Sequence, residues 1–263
     1  MGAMFCRRCT NERKPPMENS STEYSESGNP IYRHKDSDEG YVLPRQVQTS
    51  VEALEKHIET FFGKPKTVFH ELISSHVHID VHIIEPTPER DYFVLVTTGM
   101  SDLPMWVPRG NTEFQFAELL ICLPPNWKVL DDGEENVTGK KEESYWPIRA
   151  LKYLARFPHV YKTWLGPLHT IPNGDPPHPF ADNTKLSGIM LIYPELFPKE
   201  AWICRDGAKR VNFFYLLPLY TEEMVFKLKK GGETLLEKLD EAGSSSVVDI
   251  NRRNVCKKRF GIL

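Results

Sequence analysis

No run of about 18 apolar residues occurs in this 263-residue chain, so a membrane-spanning helix is not expected. The opening residues, Met1-Gly2-Ala3-Met4-Phe5-Cys6, lack the apolar core of a secretion signal. Charge of one sign is also missing. Lys and Arg number 33 against 36 Asp and Glu, a net charge of −3, which leaves no footprint for tight nonspecific nucleic-acid binding. Cysteine is scarce and odd in number, with five at positions 6, 9, 122, 204 and 256. Without a secretion signal, that count favours a reducing cytoplasm over a disulfide scaffold. The signatures GxGxxG, GxxxxGK[ST], GxSxG and HExxH are all absent.

What the chain does have is a hydrophobic fraction of 40%, enough for a core and against wholesale disorder. It also has 21 prolines, more than its 16 glycines. Four prolines (Pro15, Pro16, Pro30, Pro44) fall in the first 45 residues, and five crowd residues 166–180. Residues 10–40 hold only Met17, Tyr24, Ile31 and Tyr32 as sizeable apolar groups. Such a segment cannot bury enough surface to offset its ordering entropy. Residues 1–45 are therefore expected to form a flexible tail, and 46–263 the folded domain. Cys6 and Cys9 in the tail make a CxxC, half of a tetrahedral zinc site with no second half in view.

Order is expected from Thr49, where Thr49 and Glu52 fit a capping box ahead of Val51, Leu54, Ile58 and Phe61 at helical spacing. Residues 76–83 alternate polar and apolar, while 91–97, 114–123, 187–193 and 211–217 are apolar and β-branched enough for strands. A helix capped by Ser144 is expected through Phe157, and one or two more from Thr221 to Gly243. No regular βαβ alternation is present. The pattern predicts an α+β fold, a mixed or antiparallel sheet covered by helices.

Three places could carry chemistry. His76, His78, Asp80 and His82 line one face of one strand, and imidazole with carboxylate suits Zn²⁺ or Fe²⁺. Side chains two apart on a strand stand about 6.5–7 Å apart, so a site there would need further donors such as His70 or Glu118. The alternative is a strand with a plain polar outer face. Residues 97–102 could cradle an anion through backbone amides. The loop 166–183 is too long for a simple connector, and its prolines lower the entropy lost on binding. The alternative there is a static cover over the core.

The segments VHIDVHIIEPTPERDYFVLVTTGMSDLPMWVP (77–108), FAELLICLPPNW (116–127), WPIRALKYLARFP (146–158), GPLHTIPNGDPPHPF (166–180) and VNFFYLLPLYTEEMVFKL (211–228) together resemble the Suppressor of fused family in its bacterial branch. The resemblance runs from about residue 47 to the 251–256 stretch and leaves the CxxC tail outside it. It implies an α+β sandwich-like domain and a non-enzymatic role. Animal relatives hold a transcription-factor peptide in a cleft, and bacterial relatives are proposed to be immunity proteins that neutralise toxins. The animal cleft aspartate sits in an Asp-Asn pair before a strand, which here is Asp182-Asn183. No second, C-terminal domain is expected, so a two-lobed clamp is not. The implied partner is another protein, bound by Asp182, Asn183, His169, Asp175, His178 and Phe180. Zinc at His76, His78 and Asp80, or at Cys6 and Cys9, stays open as a second reading: a metal-dependent enzyme on the histidine strand, or a regulatory binder docking through its CxxC tail.

Overall fold

Residues 211–220 are buried at every position, as in a strand covered on both faces. In the computed structural model, which describes residues 23–34, 51–70, 77–129 and 140–257, this run forms most of the central strand of the sheet. In chain order the elements are β1 (Glu23–Tyr24), β2 (Pro30–Ile31), α1 (Val51–Phe61), β3 (Thr67–Phe69), β4 (Asp80–Ile84), β5 (Phe93–Thr98) and β6 (Phe116–Leu123). There follow α2 (Lys140–Val160), β7 (Thr170–Pro172), β8 (Leu186–Ile192), β9 (Ile203–Asp206), β10 (Lys209–Tyr220), α3 (Thr221–Lys230) and α4 (Gly232–Glu241).

Eight strands form one sheet in the order β3-β4-β5-β6-β10-β8-β7, with β9 pairing the first part of β10. Every pairing in it is antiparallel except β6 with β10, which runs parallel from Phe116 opposite Val211 to Leu120 opposite Tyr215. The fold is thus α+β with a mixed sheet. Helix α2 crosses β4, β5 and β6, α1 packs on β9, and α3 packs on β8 and β10. Leu54, Ile58 and Phe62, at helical spacing on and just past α1, are buried, and Phe62 meets the Phe213 ring at 5.3 Å. Burying each such side chain stabilises by about 1.5–3 kcal/mol. Cys122 and Cys204 are buried among these groups as small hydrophobes.

Pro218 stands near the end of β10, inside a strand paired on both sides over part of its length, where a missing N–H could break a ladder. The parallel pairing with β6 ends at Tyr215, and the Pro218 carbonyl accepts from Arg252 Nη2 at 2.9 Å rather than from a strand. The amide and carbonyl of one strand residue point the same way, so the proline ring faces the arginine and the β8 ladder continues past it. Arg252 is also paired with Glu223, Nη1 to Oε1 at 2.7 Å and Nη2 to Oε2 at 2.5 Å. Glu223 accepts further from the Tyr220 amide at 3.0 Å and the Val255 amide at 3.1 Å. These bonds fasten the chain after α4 to the start of α3.

Several boundaries differ from the sequence pattern. The helix expected at Ser144 begins at Lys140, and Ser144 is an interior residue whose carbonyl accepts from Trp127 Nε1 at 2.9 Å. The strand expected at 76–83 is β4, shifted to 80–84. Val77 and Ile79 are still buried, but their backbone joins no ladder. The proline-rich stretch 166–183 contains β7, so it is part of the sheet rather than a structureless connector. Within the stretch expected as tail, residues 23–34 form a hairpin, and the Ser27 amide donates to the Leu228 carbonyl at 3.0 Å. The Thr49 cap lies outside the described residues.

Candidate functional site

Helix α2 presents Trp146, Arg149 and Tyr153 at spacings of three and four, which puts them on one face. That face looks onto the proline-rich stretch. The Trp146 ring is buried and stacks on Phe180 at 4.9 Å with 13° between planes. Arg149 Nη2 donates to the Phe180 carbonyl at 2.9 Å, and its Nε donates to Glu142 at 2.6 Å. Between helix and loop lies a cavity of about 300 Å³, walled by Arg149, Tyr153 and Leu154 of α2, by residues 171–174 and Phe180, and floored by Ile189.

The loop wall is stiffened from within. Asn173 Nδ2 donates to the carbonyls of His178 at 2.9 Å and Pro179 at 3.1 Å, and the His178 amide donates back to the Asn173 carbonyl at 3.0 Å. Gly174 has φ +90°, and a Cβ there would lie 2.5 Å from the His178 ring, so only glycine fits this closed turn. The turn therefore offers a fixed shape to anything that lies on it.

The expected partner-facing residues divide by surroundings. Asp175, His178 and Asp182 are exposed, around the turn and just beyond it. Phe180 is buried, with its ring as part of the cavity wall. His169 packs its ring on Trp164 at 4.4 Å, and burial pushes its pKa down to about 4, so the imidazole is neutral near pH 7. Asn183 donates to the Glu143 carbonyl at 3.4 Å. Pro147, four residues further along α2, has no N–H to give that carbonyl, so Asn183 completes the helix. The groove walls Arg149 and Tyr153 were not among the expected residues. Their shared face with Trp146 was the sequence signal that could have found them.

Beside the groove, the 23–34 segment lays Tyr32 6.3 Å from His169 and His34 edge-on to Phe157 at 5.2 Å.

Residues 97–102 close around an internal carboxyl group, that of Glu118. Glu118, fully buried, accepts from Thr97 Oγ1 at 2.7 Å, from Ser101 Oγ at 2.7 Å and from the Ser101 amide at 2.9 Å. Burial still outweighs these bonds and lifts its pKa to about 7. Gly99 shapes this turn with φ +100°, and a Cβ on it would fall 1.8 Å from the His78 carbonyl oxygen.

Of the expected metal ligands, His78 and Asp80 come together, with His78 Nε2 3.1 Å from Asp80 Oδ1. His70, just beyond β3, places Nδ1 3.1 Å from Asp80 Oδ2. His82 is buried and shares a hydrogen bond with Thr98 Oγ1 at 2.9 Å. His76, Cys6 and Cys9 lie outside the described residues.

A mixed eight-stranded sheet crossed by one long helix, with a stiff loop forming a groove against that helix, defines an α+β domain of a recognisable class. The chain belongs to the Suppressor of fused family: the family model for Suppressor of fused protein (SUFU) matches residues 75–253. An uncharacterized protein of Ureaplasma parvum is 24% identical over 193 residues, spanning 72% of this chain and 88% of its own. The structure of a SUFU homologue from Neisseria gonorrhoeae superposes with a TM-score of 0.57 at 21% identity, covering 79% of this chain and 97% of that one. The crystal structure of the Sufu–Fu complex gives a TM-score of 0.54 at 14% identity over 81% of this chain and 93% of that one. Among the described residues, no helix is long and apolar enough to cross a membrane.

Proposed function

We propose that the chain is a protein-binding domain that acts by occlusion rather than catalysis, and that its partner is a toxin domain which it neutralises. The groove between α2 and the proline-rich loop carries this reading. Among the described residues, its lining combines Arg149, Tyr153 and Asn173 with apolar groups and includes no carboxylate, imidazole or thiol. Arginine and tyrosine are the side chains that dominate interface energetics, because each offers large contact area with a polar end. The closed turn at 173–178 loses little entropy on contact. A relative solved in complex, Sufu with Fu, supports a binding role for the fold. Likeness to a Neisseria gonorrhoeae homologue over nearly all of that chain supports the bacterial branch, and with it the immunity reading.

The test is co-expression with toxin domains encoded beside the gene. A toxin should copurify, and growth should be protected. Arg149→Ala with Tyr153→Ala should weaken the complex at least a hundredfold, about 3 kcal/mol, within the range of two hot-spot truncations. Copurification unchanged by the double substitution would move the interface elsewhere. Failure of every neighbouring toxin to bind would remove the immunity role.

A further inference from the structure

We infer that His70, His78 and Asp80 form a binding site for a divalent transition-metal ion, on the β3–β4 side of the sheet. Three separate pieces of geometry converge there. Phe69 of β3 pairs with Val81 of β4, so the next register position sets His70 opposite Asp80. Cross-strand neighbours hold their Cβ atoms about 4.5–5.5 Å apart, closer than residues two apart on one strand. The neighbouring strand thus supplies the donor that a single strand could not.

One donor atom from each of the three side chains lies within 4.8 Å of the other two. The two imidazoles reach different oxygens of the same carboxylate, His70 Nδ1 at 3.1 Å from Oδ2 and His78 Nε2 at 3.1 Å from Oδ1. Donors around a tetrahedral ion at about 2.1 Å stand about 3.4 Å apart, so a set held within 4.8 Å is close enough to draw in around one ion. Asp80 Oδ1 is buried and receives no hydrogen bond, although His78 Nε2 is 3.1 Å away. A buried carboxylate oxygen without a donor, beside an imidazole nitrogen, is an acceptor that a bound cation would satisfy. Gly99 packs against the His78 carbonyl and fixes where this residue leaves the backbone.

Two imidazoles and a carboxylate suit Zn²⁺ or Fe²⁺ and leave coordination positions for water or a partner's side chain. His82, although on the same strand, is committed to Thr98 and lies outside the set. The Lys152 ammonium on α2 acts electrostatically on Asp80 and opposes a cation there. Lys152→Ala should therefore tighten binding.

The experiment uses the full chain carrying Cys6→Ser and Cys9→Ser, so that tail thiols do not compete. Chelator-treated protein is titrated with ZnCl₂ by calorimetry and with Co²⁺ by visible absorption. One equivalent should bind in the micromolar range or tighter, with cobalt bands of a low-symmetry site. His70→Ala, His78→Ala and Asp80→Asn should each weaken binding at least tenfold, and His178→Ala should not. The His70 side chain is 67% exposed, so its replacement leaves the fold intact, and metal-free melting curves verify this for all variants. Absence of saturable one-equivalent binding, or binding indifferent to the three ligand substitutions, overturns the inference.

Discussion

Arg252→Ala should cost far more than a surface charge deletion. The side chains of Arg252 and Glu223 are 8% and 0% exposed, so both charges are out of water. The guanidinium makes two bonds to the Glu223 carboxylate and one to the Pro218 carbonyl. Truncation leaves Glu223 buried with only two backbone amides as donors. Removing one partner of a buried pair costs about 3–5 kcal/mol. In a chain of this size, each kcal/mol lowers the melting temperature by about 2–4 °C, so the variant should melt roughly 6–20 °C below the parent. Arg252→Lys keeps the charge but not the fork, and should fall between the two. The double variant Arg252→Met with Glu223→Gln removes both charges yet keeps an acceptor for one amide. It should recover at least half of the loss. Urea titrations followed by tryptophan fluorescence measure each difference, with the slope checked for constancy. A shift under about 1 kcal/mol for Arg252→Ala, or a double variant no better than the single, would refute the account of a desolvated pair.

Glu118 makes stability depend on pH. Its folded pKa, raised from 4.5 to about 7, means the native state holds a proton that the unfolded chain releases. Its contribution is full below about pH 4.5 and declines as pH rises through about 7, by up to about 1.4 kcal/mol per unit. Urea midpoints across that window should show the decline, and Glu118→Gln should flatten it. Gly99→Ala places a Cβ 1.8 Å from the His78 oxygen at a φ of +100°, and should destabilise by more than the ~1 kcal/mol of an ordinary helix or strand substitution. Thermal melting reads this loss, and a neutral outcome would mean the turn can shift without strain.

The central strands were legible in the sequence because both of their faces are apolar, so composition alone marks them. Strands β3, β7 and β9 have three or four residues each, too few for any period to register. The Lys140 start of α2 was hidden by its polar first turn, whereas Ser144 looked like a cap because it precedes the apolar face. In the site, the stiff loop could be read from its prolines. Its opposite wall could not, because Arg149 and Tyr153 face it only once α2 is laid across the sheet. His70 likewise joined His78 and Asp80 only through cross-strand register, which a linear reading does not supply.

The parallel pairing of β6 with β10 joins positions 95 residues apart, Phe116 and Val211. A ribosome releasing this chain exposes the β4–β6 meander long before its central neighbour exists. The open edge of β6 is a run of eight residues, FAELLICL, with one charge. Such an edge invites pairing with other chains until it is covered. Synthesis rate through residues 124–215 therefore sets how long the nascent protein is vulnerable. Slowing translation there should raise aggregation without changing the stability of the finished fold.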